Sequence, residues 1–347
     1  MMTEADKKYR NLNNRIGAAL LIFLAFFTGG QIIQSEFDLL IEYFASGKVS
    51  YIASSLLWDV IYLCSFMLPV LFFYKISKNH HTEKMIIGNR VSPLLPLIVL
   101  SALALNLVAS VINAWLVSPF DLSSLYENVT YPDGYHLYDF ILEVIGTAIV
   151  PAFCEEFLFR GLILACLLPY GKKTAVIGSA VLFGLMHQNP AQLFYTIVLG
   201  MVLALIVIES DSVWGAVILH FVNNLFSVIM NACYYVMPAD QADFITNLAV
   251  LAVLAVGFVC GAVLIVLRLK KNRKTKLTED MMSRRNINDG VFGYYEIAEA
   301  ETGNDFGVSK KYYVKGFFAP CIVVFTVLSV LSMVLLIILA ALNGIVM

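Results

Sequence analysis

Long apolar runs alternate with short polar ones along the whole chain. A run of about 20 apolar residues is long enough to span a bilayer as a helix. Nine such runs occur, near 16–34, 51–74, 93–117, 138–169, 174–188, 191–208, 213–230, 247–268 and 317–346. The connections near 188–191 and 209–212 are so short that neighbouring runs can be split differently, so the pattern predicts eight or nine spans. The expected fold is all-α, a polytopic transmembrane bundle. It divides into N-terminal helices over 1–137, a core over 138–230, a further span within 231–268, a cytoplasmic loop over 269–316 and a last span within 317–347.

Composition agrees with a lipid-embedded chain. Hydrophobic residues make up 60% of the sequence and charged residues 14%, against about 45–50% and about 25% in soluble domains. The net charge of −2 gives no sign of a nucleic-acid partner. The partners expected instead are the bilayer and a membrane-associated peptide or protein substrate, lipidated or not. Cys64, Cys154, Cys166, Cys233, Cys260 and Cys321 stand in or beside apolar runs and form no C-x-x-C pair, so they read as small core residues.

Charge also orients the bundle. With the N-terminus placed in the cytoplasm and the loops alternating, 21 of the 23 Lys and Arg fall on the cytoplasmic side. Lys48 stands outside, and Arg160 lies inside a span. The other side carries acids such as Glu36, Asp38, Glu42, Asp121, Glu127 and Asp133, together with an Asn128-Val129-Thr130 sequon. The first run follows basic residues but has no small-x-small cleavage site after it, so it reads as a retained span. The 269–316 segment opens basic and turns acidic, as expected of a connector lying against anionic headgroups.

Against this background "PAFCEEFLFRGLIL", residues 151–164, stands out. A charge at bilayer depth costs roughly 2.5–3.5 kcal/mol on insertion scales, and three fall within six residues. Glu156 and Arg160 are four apart and share a helix face, so they can pair. Glu155 lies about 100° around the helix from Glu156 and is left available. "FGLMHQN" then places His187 near the end of its run, and "ILHFVNNLF" places His220 and Asn224 on one face of another. At about 1.5 Å per residue from the cytoplasmic ends, Glu155 lies roughly 25 Å along its helix, His187 roughly 20 Å, and His220 and Asn224 roughly 10 and 17 Å. With a kink expected near Pro151, these groups can share one layer of the bundle. Asp59 and Glu143 lie toward the outer ends of their spans and read as solvated or structural.

Several hydrolytic signatures are missing: H-E-x-x-H, Gly-x-Gly-Asp with a partner aspartate, G-x-S-x-G, and a cysteine next to a histidine. What remains is Glu and His acting on water, with or without a metal. E-E-x-x-x-R (Glu155, Glu156, Arg160), F-x-x-x-H (Phe183, His187) and H-x-x-x-N (His220, Asn224) occur in that order on successive apolar runs. This resembles the CPBP family of CAAX proteases and bacteriocin-processing enzymes, also called Abi or type II CAAX endopeptidases, over roughly 140–230.

The resemblance implies an intramembrane endopeptidase in the cell membrane whose site opens to the cytoplasm. It implies Glu155 as general base, His187 as a partner of the water, and His220 and Asn224 at the oxyanion. Glu156 and Arg160 would hold the base in place. It leaves metal open: it names no cofactor as required, and Glu155, His187 and His220 are the three residues that would ligate a zinc. A metal-free glutamate mechanism is the expectation. A non-catalytic scaffold or bacteriocin-immunity factor is the competing reading. A proton-coupled transporter is a weaker one, because the halves show no repeat symmetry.

Overall fold

The computed structural model describes residues 3–44, 47–76, 85–88, 91–120, 131, 134–285, 308 and 315–346. The sequon and most of the 269–316 connector lie outside them. All regular structure among the described residues is helical: α1 (Glu4–Phe44), α2 (Lys48–Ile76), α3 (Leu95–Val117), α4 (Leu137–Tyr170), α5 (Lys172–Met186), α6 (Pro190–Ser210), α7 (Trp214–Val236), α8 (Ala239–Arg285) and α9 (Pro320–Val346). Eight of these are long and apolar enough to cross a membrane. The exception is α5. Its 15 residues rise only roughly 22 Å, short of a hydrocarbon core of about 30 Å.

Two elements run further than their apolar runs. Helix α8 continues through the basic stretch to Arg285, where the sequence offers no Gly or Pro to stop it. Part of the segment expected as a loop is therefore helical. Helix α1 extends to 41 residues, and Tyr9, Leu12, Ile16, Leu20 and Phe23 recur on its buried side at three- and four-residue spacing. Gly17 is a point of close approach to α9. A Cβ there would stand 2.3 Å from the Ile322 backbone nitrogen of α9. Beside it, Asn14 Oδ1 accepts from the Cys321 N–H at 3.1 Å.

Short connections make neighbouring helices antiparallel. The α5–α6 turn shows how: Gln188 takes a positive φ of 50°, Asn189 Oδ1 caps α6 by accepting from Ala191 N–H at 2.9 Å, and Pro190 opens the helix. On α3, Asn113 fastens this turn. It donates to Ala191 O at 2.7 Å and accepts from Phe194 N–H at 2.8 Å. The bundle thus has two ends. One carries the start of α1, the α4–α5 and α6–α7 turns and Lys172, Lys173 and Arg268. The other carries the α1–α2, α5–α6 and α7–α8 turns.

Gly17→Ala should destabilise the protein by about 1–3 kcal/mol, because backbone rather than a movable side chain blocks the added methyl. Thermal unfolding in detergent checks this, with Gly29→Ala as the control, since nothing lies within 4 Å of a Cβ there.

Candidate active site

Helix α4 is irregular where its charges sit. Turns of π-helix run over Val144–Ile149 and Phe157–Leu164, and a short α-helical segment between them carries Glu155 and Glu156. Such turns often mark functional sites. Here each has a local cause. Pro151 has no N–H for the Thr147 carbonyl four residues back, and Asn224 Nδ2 donates to that carbonyl at 2.9 Å instead. Further along, the Gly161 carbonyl accepts from Ile86 N–H at 3.0 Å. A partner from outside the helix thus enters the ladder.

The two adjacent carboxylates have separate surroundings. Glu156 Oε1 accepts from Arg160 Nη1 and from His220 Nδ1, both at 2.8 Å. Arg160 is wholly buried. Its Nη2 donates to the Gly200 carbonyl at 3.2 Å, and the guanidinium carbon lies 4.1 Å from the centre of the Phe183 ring. Gly200 leaves little room in this approach: a Cβ would meet Arg160 Nη2 at 3.1 Å and Ala180 Cα at 3.2 Å, both tight contacts. Burying a charge at this depth is tolerable only because it is paired, hydrogen-bonded and stacked.

Glu155 is free of the arginine. Its Oε1 accepts a hydrogen bond from the Tyr62 hydroxyl of α2. Its buried Oε2 has no hydrogen-bond partner within the protein. His187 Nε2 and His220 Nε2 each lie 3.9 Å from that oxygen. This is too long for a direct hydrogen bond and suits a single bridging water. The His187 tautomer is set by its other nitrogen, since Nδ1 stands 2.8 Å from the Phe183 carbonyl, which can only accept. A neutral His187 therefore turns the lone pair of Nε2 toward Glu155. The Phe183 of F-x-x-x-H thus supplies a ring to Arg160 and a carbonyl to His187.

A cavity of about 440 Å³ adjoins the three groups, lined in part by Tyr62, Glu155, His187, His220 and Asn224. All six residues expected from the sequence fall in this region. Glu155, His187 and His220 converge, Glu156 and Arg160 support them, and Asn224 lines the cavity with one amide N–H on Thr147. Three contributors were not anticipated. Tyr62 lies on α2, outside the resemblance, and an aromatic in an apolar run carries no signal. Asn106 of α3 donates to Asn223 Oδ1 at 2.8 Å, and Asn223 in turn donates to Asn224 Oδ1 at 3.1 Å. The doubled asparagine was the available hint. Asp59 packs on Gly146, its Oδ1 2.7 Å from where a Cβ would stand, and Glu143 accepts from the Tyr131 and Tyr135 hydroxyls.

A zinc ion takes ligands at roughly 2.0–2.2 Å, which sets tetrahedral ligand atoms about 3.3–3.5 Å apart. The 3.9 Å separations are wider. Among the described residues, no group of three or more His, Cys, Asp or Glu is placed to hold a metal ion. No step is assigned to one.

Residues 138–226, which contain every one of these α4–α7 groups, match the family model described as type II CAAX prenyl endopeptidase Rce1-like. The match spans about a quarter of the chain, and over it the chain is similar to the CAAX proteases. No curated protein and no solved structure matches it. Eight candidate spans, together with this similarity, make the chain an integral multi-pass membrane protein.

Removing the guanidinium strands Glu156 in the core. Arg160→Met should cost about 3–5 kcal/mol, the scale for breaking a buried pair. Reduced yield of folded protein and a lower unfolding temperature in detergent would show it.

Proposed function

We propose that this protein is an active intramembrane endopeptidase of the CAAX-protease type, which hydrolyses a peptide bond in a membrane-associated chain using water activated by Glu155. The observation that carries the reading is the unpartnered Glu155 Oε2, faced by two imidazole Nε2 atoms at 3.9 Å beside a cavity. A scaffold gains nothing from a buried oxygen left without a donor, which is costly to maintain.

In this mechanism a water between Glu155 and His187 gives one proton to Glu155 Oε2 and directs its other hydrogen to the His187 lone pair. Its oxygen attacks the scissile carbonyl, and the C=O π bond becomes an oxyanion. His220 presents either a lone pair or an N–H at Nε2 while Glu156 accepts at Nδ1, and the N–H form binds the oxyanion. An Asn224 amide carries two N–H donors, of which one is held by Thr147. Donors fixed in a dry site stabilise such a charge strongly. The carbonyl then re-forms, the C–N bond breaks, and Glu155 returns its proton to the leaving amine. Tyr62 acts on Glu155 as a positioning residue, holding the carboxylate by its second oxygen.

Comparing peptide termini by mass spectrometry in membranes carrying wild-type protein or Glu155→Gln tests the reading while the substrate is still unidentified. Particular termini should vanish with the variant, and they then name the substrate. Matching profiles, with a biological effect retained by Glu155→Gln, would mean a scaffold or immunity role.

Tyr62→Phe should leave the fold intact and lower kcat about 10- to 100-fold, the loss of one hydrogen bond to a charged group. KM should change little, because Tyr62 bears on the base. Steady-state kinetics on a substrate found from the termini would separate the two constants.

A further inference from the structure

The cavity wall carries a chain of three amides whose hydrogen bonds all run in one direction. Asn106 Nδ2 of α3 donates to Asn223 Oδ1 of α7 at 2.8 Å. Asn223 Nδ2 donates to Asn224 Oδ1 at 3.1 Å, and Asn224 Nδ2 donates to the Thr147 carbonyl of α4 at 2.9 Å. All three asparagines line the cavity.

The direction is set at the α4 end. A backbone carbonyl can only accept, and Pro151 brings no N–H to the one at Thr147. The Asn224 amide must therefore turn its nitrogen to Thr147. Its oxygen then faces Asn223, which has to donate there. Asn223 in turn shows its oxygen to α3, and Asn106 has to donate to it. Reversing any one of these amides would set oxygen against oxygen or amino group against amino group.

The far end of the chain bears the consequence. Asn106 is only 7% exposed, and its Oδ1 is buried with no hydrogen-bond partner among the described residues. A buried acceptor left in this way is unfavourable. Turning the Asn106 amide around would set that oxygen against Asn223 Oδ1, so the orphan stays where the chain ends.

This polarity matters at Asn224. The two ends of an asparagine amide are nearly the same size, so shape alone does not decide which one a cavity meets. Here elements of three helices decide it. One Asn224 N–H is held by Thr147 and a second is left over. An N–H stabilises a developing oxyanion, whereas an oxygen in its place would repel it.

We infer that Asn106 and Asn223 are positioning residues, which hold the Asn224 amide so that its second N–H rather than its oxygen serves the cavity. The use of that N–H at an oxyanion rests on the endopeptidase reading. Asn106 lies outside the matched 138–226 stretch, so this part of the site comes from a helix that the family resemblance does not reach.

Two readouts on the full chain test the inference. The first is thermal unfolding in detergent of Asn106→Leu, Asn224→Leu and the double variant. No hydrogen bond joins these two side chains directly, and only Asn223 links them. The double variant should lose clearly less than the sum of the two single losses, because the first cut already breaks the chain. Additive losses overturn the inference, whatever the activity.

The second is steady-state kinetics on a peptide spanning the cleavage site found from the termini. Asn224→Leu should lower kcat about 100-fold, the scale for one oxyanion donor. Asn106→Leu should lower kcat about tenfold with KM little changed, and should cost nothing further in the Asn224→Leu background. Losses that multiply, or a raised KM with kcat unchanged, overturn the positioning role. Asn106→Ala, which also lacks the donor, takes the place of Asn106→Leu if the leucine variant does not fold. A wild-type chain that cleaves nothing while its unfolding shows the coupling refutes the endopeptidase reading and supports the orientation of Asn224, so the two failures are distinct.

Discussion

A buried ion pair is the constraint on which the rest of the site depends. Arg160 sits at zero exposure in the middle of the bundle and is tolerated only while Glu156 neutralises it. The pair is satisfied by parts of three other helices: His220 of α7 on the carboxylate, the Gly200 carbonyl of α6 on the guanidinium, and the Phe183 ring of α5 across its face. Those contacts set the spacing of α4 through α7. They also fix the ring of His220, so structural and chemical demands meet on one imidazole.

With Glu156 committed to that pair, the adjacent Glu155 is spared. The turn of the helix aims it elsewhere, toward α2 and the cavity. Tyr62 takes one oxygen, and the second is left facing two histidines. The π-helical turns on both sides of the short Glu155–Glu156 segment come from partners that enter the helix ladder from outside, Asn224 at Thr147 and Ile86 at Gly161. Distortion of α4 is thus coupled to elements that pack around the cavity.

The number and type of elements were legible in the sequence because lipid permits few ways to satisfy a backbone, and about 20 apolar residues per span is a length requirement that composition alone expresses. The six candidate residues were legible because ionisable and amide side chains are rare at that depth and stand out by contrast. Helix periodicity also separated Glu155 from Glu156, since neighbours on a helix must point apart. Other features needed the tertiary structure. Tyr62 and Asn106 come from helices far away in the chain, and a tyrosine or asparagine in an apolar run looks the same whether or not it touches a carboxylate. The helical start of the 269–316 segment depended on continuation of α8 past its apolar run. The cavity was invisible for a deeper reason. Charge in the loops orients a bundle, but a cavity is a gap left between side chains from six helices, and only their packing decides where it forms.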